Sequence, residues 1–422
     1  MKALRLVGLI LGLWLLAGTA LAATAVQPLW TFRATSPEGY SVAISSDGST
    51  VAAALDRIYL FNGKGEKLWG GFDGKTVSIT GDGTVIAAGT EAGIRVLDRK
   101  GGTLWWDAEV KPVDTVSMFP DGRFVATIGG TTFSLHNNAG FLLARNSTCG
   151  ATAVAIPPDG SIIAVGTSNS ILGFNQSGSE KWRYETFENR KLLFAGDATY
   201  LVGASAYSVV ALHPSGNLLW SYRTGSNLRD IAVSSDSRYI VAGSDDRRIY
   251  LFNRNGGLLW SRDIGDWAVC VAITGDGSLV GVGSARGLDK KVYLFSGDGD
   301  LLWTYQAGGW VNGIDFSGDG KYLAAVTDDG VVSYFSTETA PPTPAVPTVT
   351  MTSTQTGTVA SPTGMETVPV SPPAGTTALT VATTTALPVQ TEATKAGCAP
   401  FTTAVLGVLF AGFFLSVKGQ GR

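Results

Sequence analysis

Tryptophan follows glycine at a fixed distance over and over in this chain, and that repetition restricts the available folds more than any other feature. "YLFNGKGEKLW" at Tyr59 to Trp69 returns as "YLFNRNGGLLW" at Tyr250 to Trp260 and "YLFSGDGDLLW" at Tyr293 to Trp303. Aligned on the tryptophan, the copies fall at Trp30, Trp69, Trp105, Ala144, Trp182, Trp220, Trp260 and Trp303, spaced 36 to 43 residues apart. From the second copy onward a glycine stands four residues earlier: Gly65, Gly101, Gly140, Gly178, Gly216, Gly256 and Gly299. Three residues before each glycine comes Asn62, Asp98, Asn137, Asn175, His213, Asn253 or Ser296. Side chains of this kind hydrogen-bond nearby backbone, and glycine serves where φ is positive, so the pattern predicts a hairpin turn between two strands.

A second marker lies between the tryptophans. Asp47-Gly48, Asp82-Gly83, Asp121-Gly122, Asp159-Gly160, Asp197-Ala198, Asp236-Ser237, Asp276-Gly277 and Asp319-Gly320 each follow one apolar run and precede another. A unit therefore reads strand, Asp-Gly turn, strand, short loop, strand, Asn-x-x-Gly turn, tryptophan strand. Four antiparallel strands in about 39 residues, eight times over, predict an all-β, eight-bladed β-propeller across residues 28–337. The composition agrees, with 54 glycines, 11 tryptophans and only 15% charged residues. "LWTFRA" at Leu29 to Ala34 has no blade before it, and "VVSYFS" at Val331 to Ser336 has no tryptophan strand after it. The N-terminal strand is thus expected to complete the last blade and close the ring.

These motifs resemble known families. The strand, glycine turn and tryptophan of "YLFNGKGEKLW" are similar to the pyrroloquinoline-quinone-like propeller repeat, while "VAISSDGSTVAAAL" and "VAIPPDGSIIAVGT" look like the inner strands and Asp-Gly turn of WD repeats. The resemblance implies tryptophans that dock blade against blade. On regularity alone, Trp30, Trp69, Trp105, Trp182, Trp220, Trp260 and Trp303 also read as packing plugs, since eight interfaces need eight equal contacts and a ligand does not. Ala144 at the fourth position, and the missing glycines at Ala198 and Ser237, are departures that weaken single blades.

Function is sought in what does not repeat. Trp267 in "GDWAVC" and Trp310 in "GGWVNG" each stand six residues before an inner-strand residue, Ile273 and Phe316, which places them near the mouth of the central channel. Two residues further along, the units carry Tyr40, Lys75, Asp114, Thr152, Arg190, Arg229, Val269 and Asn312. This polar ring with an aromatic flank is the mixture expected of a shallow recognition surface, and Trp267, Trp310, Lys75, Arg190, Arg229 and Asn312 are its candidate binding residues.

Catalytic chemistry finds little to stand on. His136 and His213 are the only histidines, and both replace or adjoin a turn residue, so no histidine-based metal site or triad is expected. The chain lacks the adjacent cysteine pair of quinone-dependent dehydrogenases and is shorter than they are, so the resemblance implies fold without quinone, and no cofactor is expected. Net charge is −3 with the two signs intermixed, which offers no phosphate-neutralising stripe for nucleic acid.

The ends predict topology. "MKALRLVGLILGLWLLAGTALA" has the basic start, apolar run and small-residue finish of a signal peptide, residues 1–22. Residues 338–397, nearly all Thr, Pro, Ala, Val, Ser and Gly, bury too little apolar surface to fold and are expected to form a disordered stalk of the O-glycosylated kind. Residues 399–417 form an uncharged run just long enough to cross a bilayer, and Lys418 and Arg422 in the tail 418–422 would hold that end in the cytoplasm. The "APF" before this run resembles the sorting signals of archaeal cell-surface proteins, which carry Pro-Gly-Phe and imply cleavage with lipid linkage. Asn146 and Asn175 begin candidate N-glycosylation sequons. The whole predicts a single-pass cell-membrane protein whose extracellular propeller is a non-enzymatic binding or scaffold module for protein or glycan. The competing reading is a surface polysaccharide hydrolase or lyase, marked by two carboxylates about 5–9 Å apart in one pocket at the channel mouth.

Overall fold

In the computed structural model, which describes residues 24–148, 150–287 and 289–338, each repeat becomes one antiparallel sheet. The expected signal peptide, the stalk from residue 339, the transmembrane segment and the cytoplasmic tail lie outside the described residues, as do Cys149 and Cys398. Blade 6 is typical: inner strand Leu228–Val233, then Tyr239–Ser244, Arg248–Asn253 and outer strand Leu258–Asp263, each paired with the next. Eight such sheets make an eight-bladed propeller of four-stranded blades. The inner strands of consecutive blades lie against one another all the way round, Val311–Phe316 of blade 8 meeting Ser41–Ile44 of blade 1. The second and third strands are apolar on both faces because each face packs on a neighbouring blade; Thr50–Ala54 is buried at every residue.

The opening motif is a joint. In blades 1, 2, 3 and 6 the Asn or Asp side-chain oxygen accepts the backbone N–H groups two and four residues on, as Asn253 does from Asn255 and Gly257 at 3.0 and 2.9 Å. The glycine follows with φ between +77° and +88° and lies flat on the tryptophan of the preceding blade. A Cβ on Gly256 would stand 2.6 Å from the Trp220 ring. Indole Nε1 of Trp30, Trp69, Trp105, Trp182, Trp220 and Trp260 donates to the carbonyl just after the Asn position of the next blade, at 2.8–3.2 Å. One glycine thus meets two demands, a left-handed backbone and contact with a neighbour's ring.

Where the pattern departs, the structure shows what replaces it. Ala144 leaves Gly178 open, with the nearest atom to a prospective Cβ 3.6 Å away. In that blade the third strand carries Phe133 at the position filled by Ile58, Ile94 and Ile249 elsewhere, and its buried ring meets Phe174 of the next blade at 4.7 Å. Phe133, Phe174 and Ala144 share one buried cluster across this junction. Ala198 and Ser237 keep the left-handed geometry of the glycines they replace, at φ +56° and +61°.

Strand Trp30–Arg33 pairs antiparallel with Val331–Ser336, joining the two ends of the domain in blade 8. The repeat pattern did not foretell a second N-terminal contact. Thr24–Ala25 adds a fifth, parallel strand to the outer strand of blade 7, Leu301–Gln306, so the domain reaches beyond the expected start at residue 28. Its position answers a gap in the joint. Blade 8 has no Asn-x-x-Gly turn to meet Trp303, whose buried Nε1 has no partner among the described residues, and Val26 packs in the cluster around that ring instead.

Candidate functional site

Antiparallel pairing places the Asp-Gly turn of every blade, and the Asn-x-x-Gly type turn of blades 1 to 7, at one end of the disc. The loops between second and third strands, and the connections from each outer strand to the next blade, lie at the other. The turn end is made of repeated residues. The loop end is not, and the candidate residues fall there.

Blades 1, 5, 6, 7 and 8 line a cavity of about 320 Å³ where their inner strands meet the channel, with Tyr40, Arg190, Lys191, Arg229, Asp230 and Asn312 among its walls. Of the six candidate binding residues, it brings together Arg190, Arg229 and Asn312. Trp267, Trp310 and Lys75 are not part of that lining. Lys75 pairs with Glu91 at 3.1 Å, both exposed, on blade 2. The Trp267 ring lies 5.1 Å from the Arg229 guanidinium, which also grips Asp245 through two bonds of 2.6 and 2.5 Å. Trp267 thus orients a cavity cation from behind. Trp310 stands 37% exposed on the rim, its backbone N–H held by Asp328 at 2.6 Å. Asn312 donates to the Gly39 carbonyl at 2.8 Å, tying blade 8 to the connection that enters blade 1.

Two acids in the inner strands were missed by reasoning from the ring positions. Asp230 pairs with Lys191 at 2.6 Å and accepts backbone N–H from its own blade at Ile231 and from the next at Val271, 3.0 and 2.9 Å. Asp315 does the same between blades 8 and 1, accepting from Phe316 and Ile44 at 3.0 and 2.9 Å. Inner strands are sheet edges, and these carboxylates satisfy edge donors that no strand covers. Asp315 is half-buried, and its desolvation pushes its pKa up to about 6 against the opposing pull of the two N–H donors. Burial likewise raises the Cys270 thiol, whose Sγ–H points to the Val311 carbonyl. The signal for both acids was visible, an Asp inside the apolar runs "RDIAV" and "GIDFS", but not the partners across the blade boundary.

The cavity's charges are matched in place: Arg190 with Glu188 at 3.3 Å, Arg229 with Asp245, Lys191 with Asp230. Asp230 is its one carboxylate, so the pair required for glycoside hydrolysis is not in this lining. A second cleft of about 520 Å³, on blade 1 at the loop end, is lined by both Asp56 and Asp73 together with Tyr59 and Lys67. Among the described residues no three His, Cys, Asp or Glu side chains gather as a metal site.

The loop end also presents large aromatics that sequence reasoning did not single out. Phe187 is 75% exposed, and Phe72 and Tyr207 are also exposed, the latter two beneath Arg95 and Arg223 at 4.3 and 5.6 Å. Phe72, Glu188 and Ala206 hold φ of +38°, +41° and +30°, a strained conformation for residues with a Cβ. Their sequence signal is weak, since a single aromatic in a loop has no period to reveal it.

Comparison with known proteins agrees with this architecture. A family model described as outer membrane protein assembly factor BamB, of the PQQ-like class, matches residues 90–245, and one described as WD domain, G-beta repeat, matches residues 299–336. Sqt1 from Chaetomium thermophilum, in a crystal structure bound to the N-terminus of ribosomal protein L10, is 16% identical with a TM-score of 0.63, covering 74% of this chain and 99% of that one. The C-terminal WD40 domain of Sif2 is 14% identical with a TM-score of 0.64, covering 75% of this chain and 99% of its own. No curated protein matches in sequence. At these identities the structural likeness speaks for fold, and fold, repeat and family models coincide: the chain is a β-propeller built from PQQ-like and WD-type repeats.

Proposed function

We propose that this chain is an exported, membrane-anchored propeller that works as a binding scaffold, presenting the loop end of its disc to a protein partner at the cell surface. One observation carries the reading. Large exposed aromatics, Phe187, Tyr207, Phe72 and Trp310, all stand at the end of the disc whose residues do not repeat, two of them beneath arginines, and the same end holds a cavity whose charges are already paired. Exposed aromatic and arginine side chains on a rigid frame are the anchors that interfaces use. Sqt1, similar in fold, is a propeller that holds the terminus of another protein. A glycan is the alternative ligand at the same surface. Export and anchoring are supported by the basic-apolar N-terminus, the Thr/Pro-rich segment and the uncharged run 399–417 with its basic tail.

The propeller, residues 24–338, would be offered to a glycan array and to isolated surface proteins. Binding that is lost in Phe187→Ala/Trp310→Ala is the expected result; silence on both supports would sink the proposal. Protease treatment of intact cells tests the topology, since an outward propeller is shed and an inward one is spared. The cleft holding Asp56 and Asp73 favours one second reading, hydrolysis of a surface polysaccharide. It would show as turnover abolished in Asp56→Asn or Asp73→Asn.

A further inference from the structure

Both sequons meet at the one blade junction that lacks its tryptophan. Asn146, in the outer strand Leu142–Ser147 of blade 3, donates from Nδ2 to the Gly178 carbonyl at 3.1 Å, and Gly178 belongs to the turn that Asn175 begins. The two asparagines differ in what the fold does with the hydroxyl two residues on. Thr148, which completes the first sequon, is buried, with its Oγ1 enclosed and without a partner among the described residues. Ser177, which completes the second, is exposed and donates from Oγ to Asn175 Oδ1 at 2.8 Å.

Asn175 also differs from its equivalents. At this turn position the fold needs the side-chain oxygen, which here accepts from Ser179 N–H at 2.8 Å, and leaves the amide nitrogen over. Asn62 spends that nitrogen on Glu66 at 2.7 Å, whereas Asn137, Asn175 and Asn253 make no such bond among the described residues. Asn62, Asn137 and Asn253 are followed two residues later by Lys64, Ala139 and Asn255, so Asn175 alone combines the turn with a hydroxyl. The turn is open as well. Six sister glycines lie beneath an indole, whereas Gly178 faces the Ala144 methyl and the Arg145 carbonyl at 3.6 and 3.9 Å.

We propose that Asn175 carries an N-linked glycan and that Asn146 stays bare. In the transfer, Nδ2 attacks the anomeric carbon of a polyprenyl-phosphate-linked sugar donor. The carbon–oxygen bond to phosphate breaks, the lipid phosphate leaves with the electron pair, a carbon–nitrogen bond forms, and the amide gives up one of its two protons. No redox partner is needed. The proposal rests on the export half of the proposed function.

The test is glycopeptide mass spectrometry with site-localising fragmentation on the full chain purified from its native cells, together with identification of its N-terminal residue. A sugar on Asn175, lost in Ser177→Ala and retained in Thr148→Ala, is the expected result. Both sites bare on a chain that has lost residues 1–22 would overturn the glycan and leave export standing. Both bare on a chain that keeps residues 1–22 would overturn the two together. A sugar on Asn146 with Asn175 bare would overturn the assignment.

Discussion

Substituting alanine for glycine in two equivalent turns separates the two demands placed on the joint. Gly256 and Gly178 hold φ of +83° and +77°, so alanine at either site meets the left-handed penalty, about 1–2 kcal/mol. Only at Gly256 does the new methyl also meet an indole, 2.6 Å from Trp220; at Gly178 it meets the Ala144 methyl at an ordinary 3.6 Å. Overpacking of that severity costs about 1–3 kcal/mol more. Gly256→Ala should therefore destabilise by about 2–5 kcal/mol and Gly178→Ala by about 1–2 kcal/mol. Thermal unfolding followed by circular dichroism would read the difference, at about 2 °C or less per kcal/mol for a domain of this size. Removing the ring supplies the control: in a Trp220→Ala background, the added cost of Gly256→Ala should fall to that of Gly178→Ala. Equal losses at the two glycines in the native background would refute the claim that the glycine serves the neighbouring tryptophan.

Three further outcomes follow from local geometry. Ala198→Gly relieves a non-glycine residue at φ +56° and should raise stability by about 1 kcal/mol, read as a higher melting temperature. Asp315 has a folded pKa raised to about 6, so the stability its neutral form contributes is full below about pH 4 and is lost as pH rises through 6. That amounts to about 3 kcal/mol. Asp47, Asp82 and Asp276 run the opposite way, their pKa lowered mainly by hydrogen bonds in the Asp-Gly turns, so their contribution is full above the unfolded carboxylate range and is lost as pH falls through their lowered folded values. The melting-temperature difference between native protein and Asp315→Asn across pH 4–7 isolates the first effect. Val26→Asp should detach the N-terminal segment from blade 7 and expose the Trp303 ring, seen as increased fluorescence quenching by acrylamide together with a lower melting temperature.

Much of the fold was legible because each joint spells itself out: a polar turn residue, a glycine three later and a tryptophan four beyond recur with enough regularity to count blades. What does not repeat was harder to read. Two residues at Thr24–Ala25 form a strand with no period of their own, and the need they meet arises only because blade 8 lacks a turn to face Trp303. Phe133 reads as one more apolar strand residue until its contact with Phe174 shows what stands near the indole missing at Ala144. At the candidate site, alignment found Arg190, Arg229 and Asn312, which line the cavity, because inner-strand register carries over from blade to blade. It could not find Lys191 with Asp230, a pair between adjacent blades, or place Trp267 behind Arg229.

Repeated residues build the disc, and the proposed binding falls to the unrepeated loop end. Phe187 and Phe141 allow a matched test, since they are 75% and 70% exposed and stand at opposite ends. A photo-crosslinking amino acid placed at each position in turn, in the full chain on native cells, would capture whatever lies against it. A discrete crosslinked partner is expected from position 187 and none from position 141. A partner captured from position 141 alone would contradict that assignment.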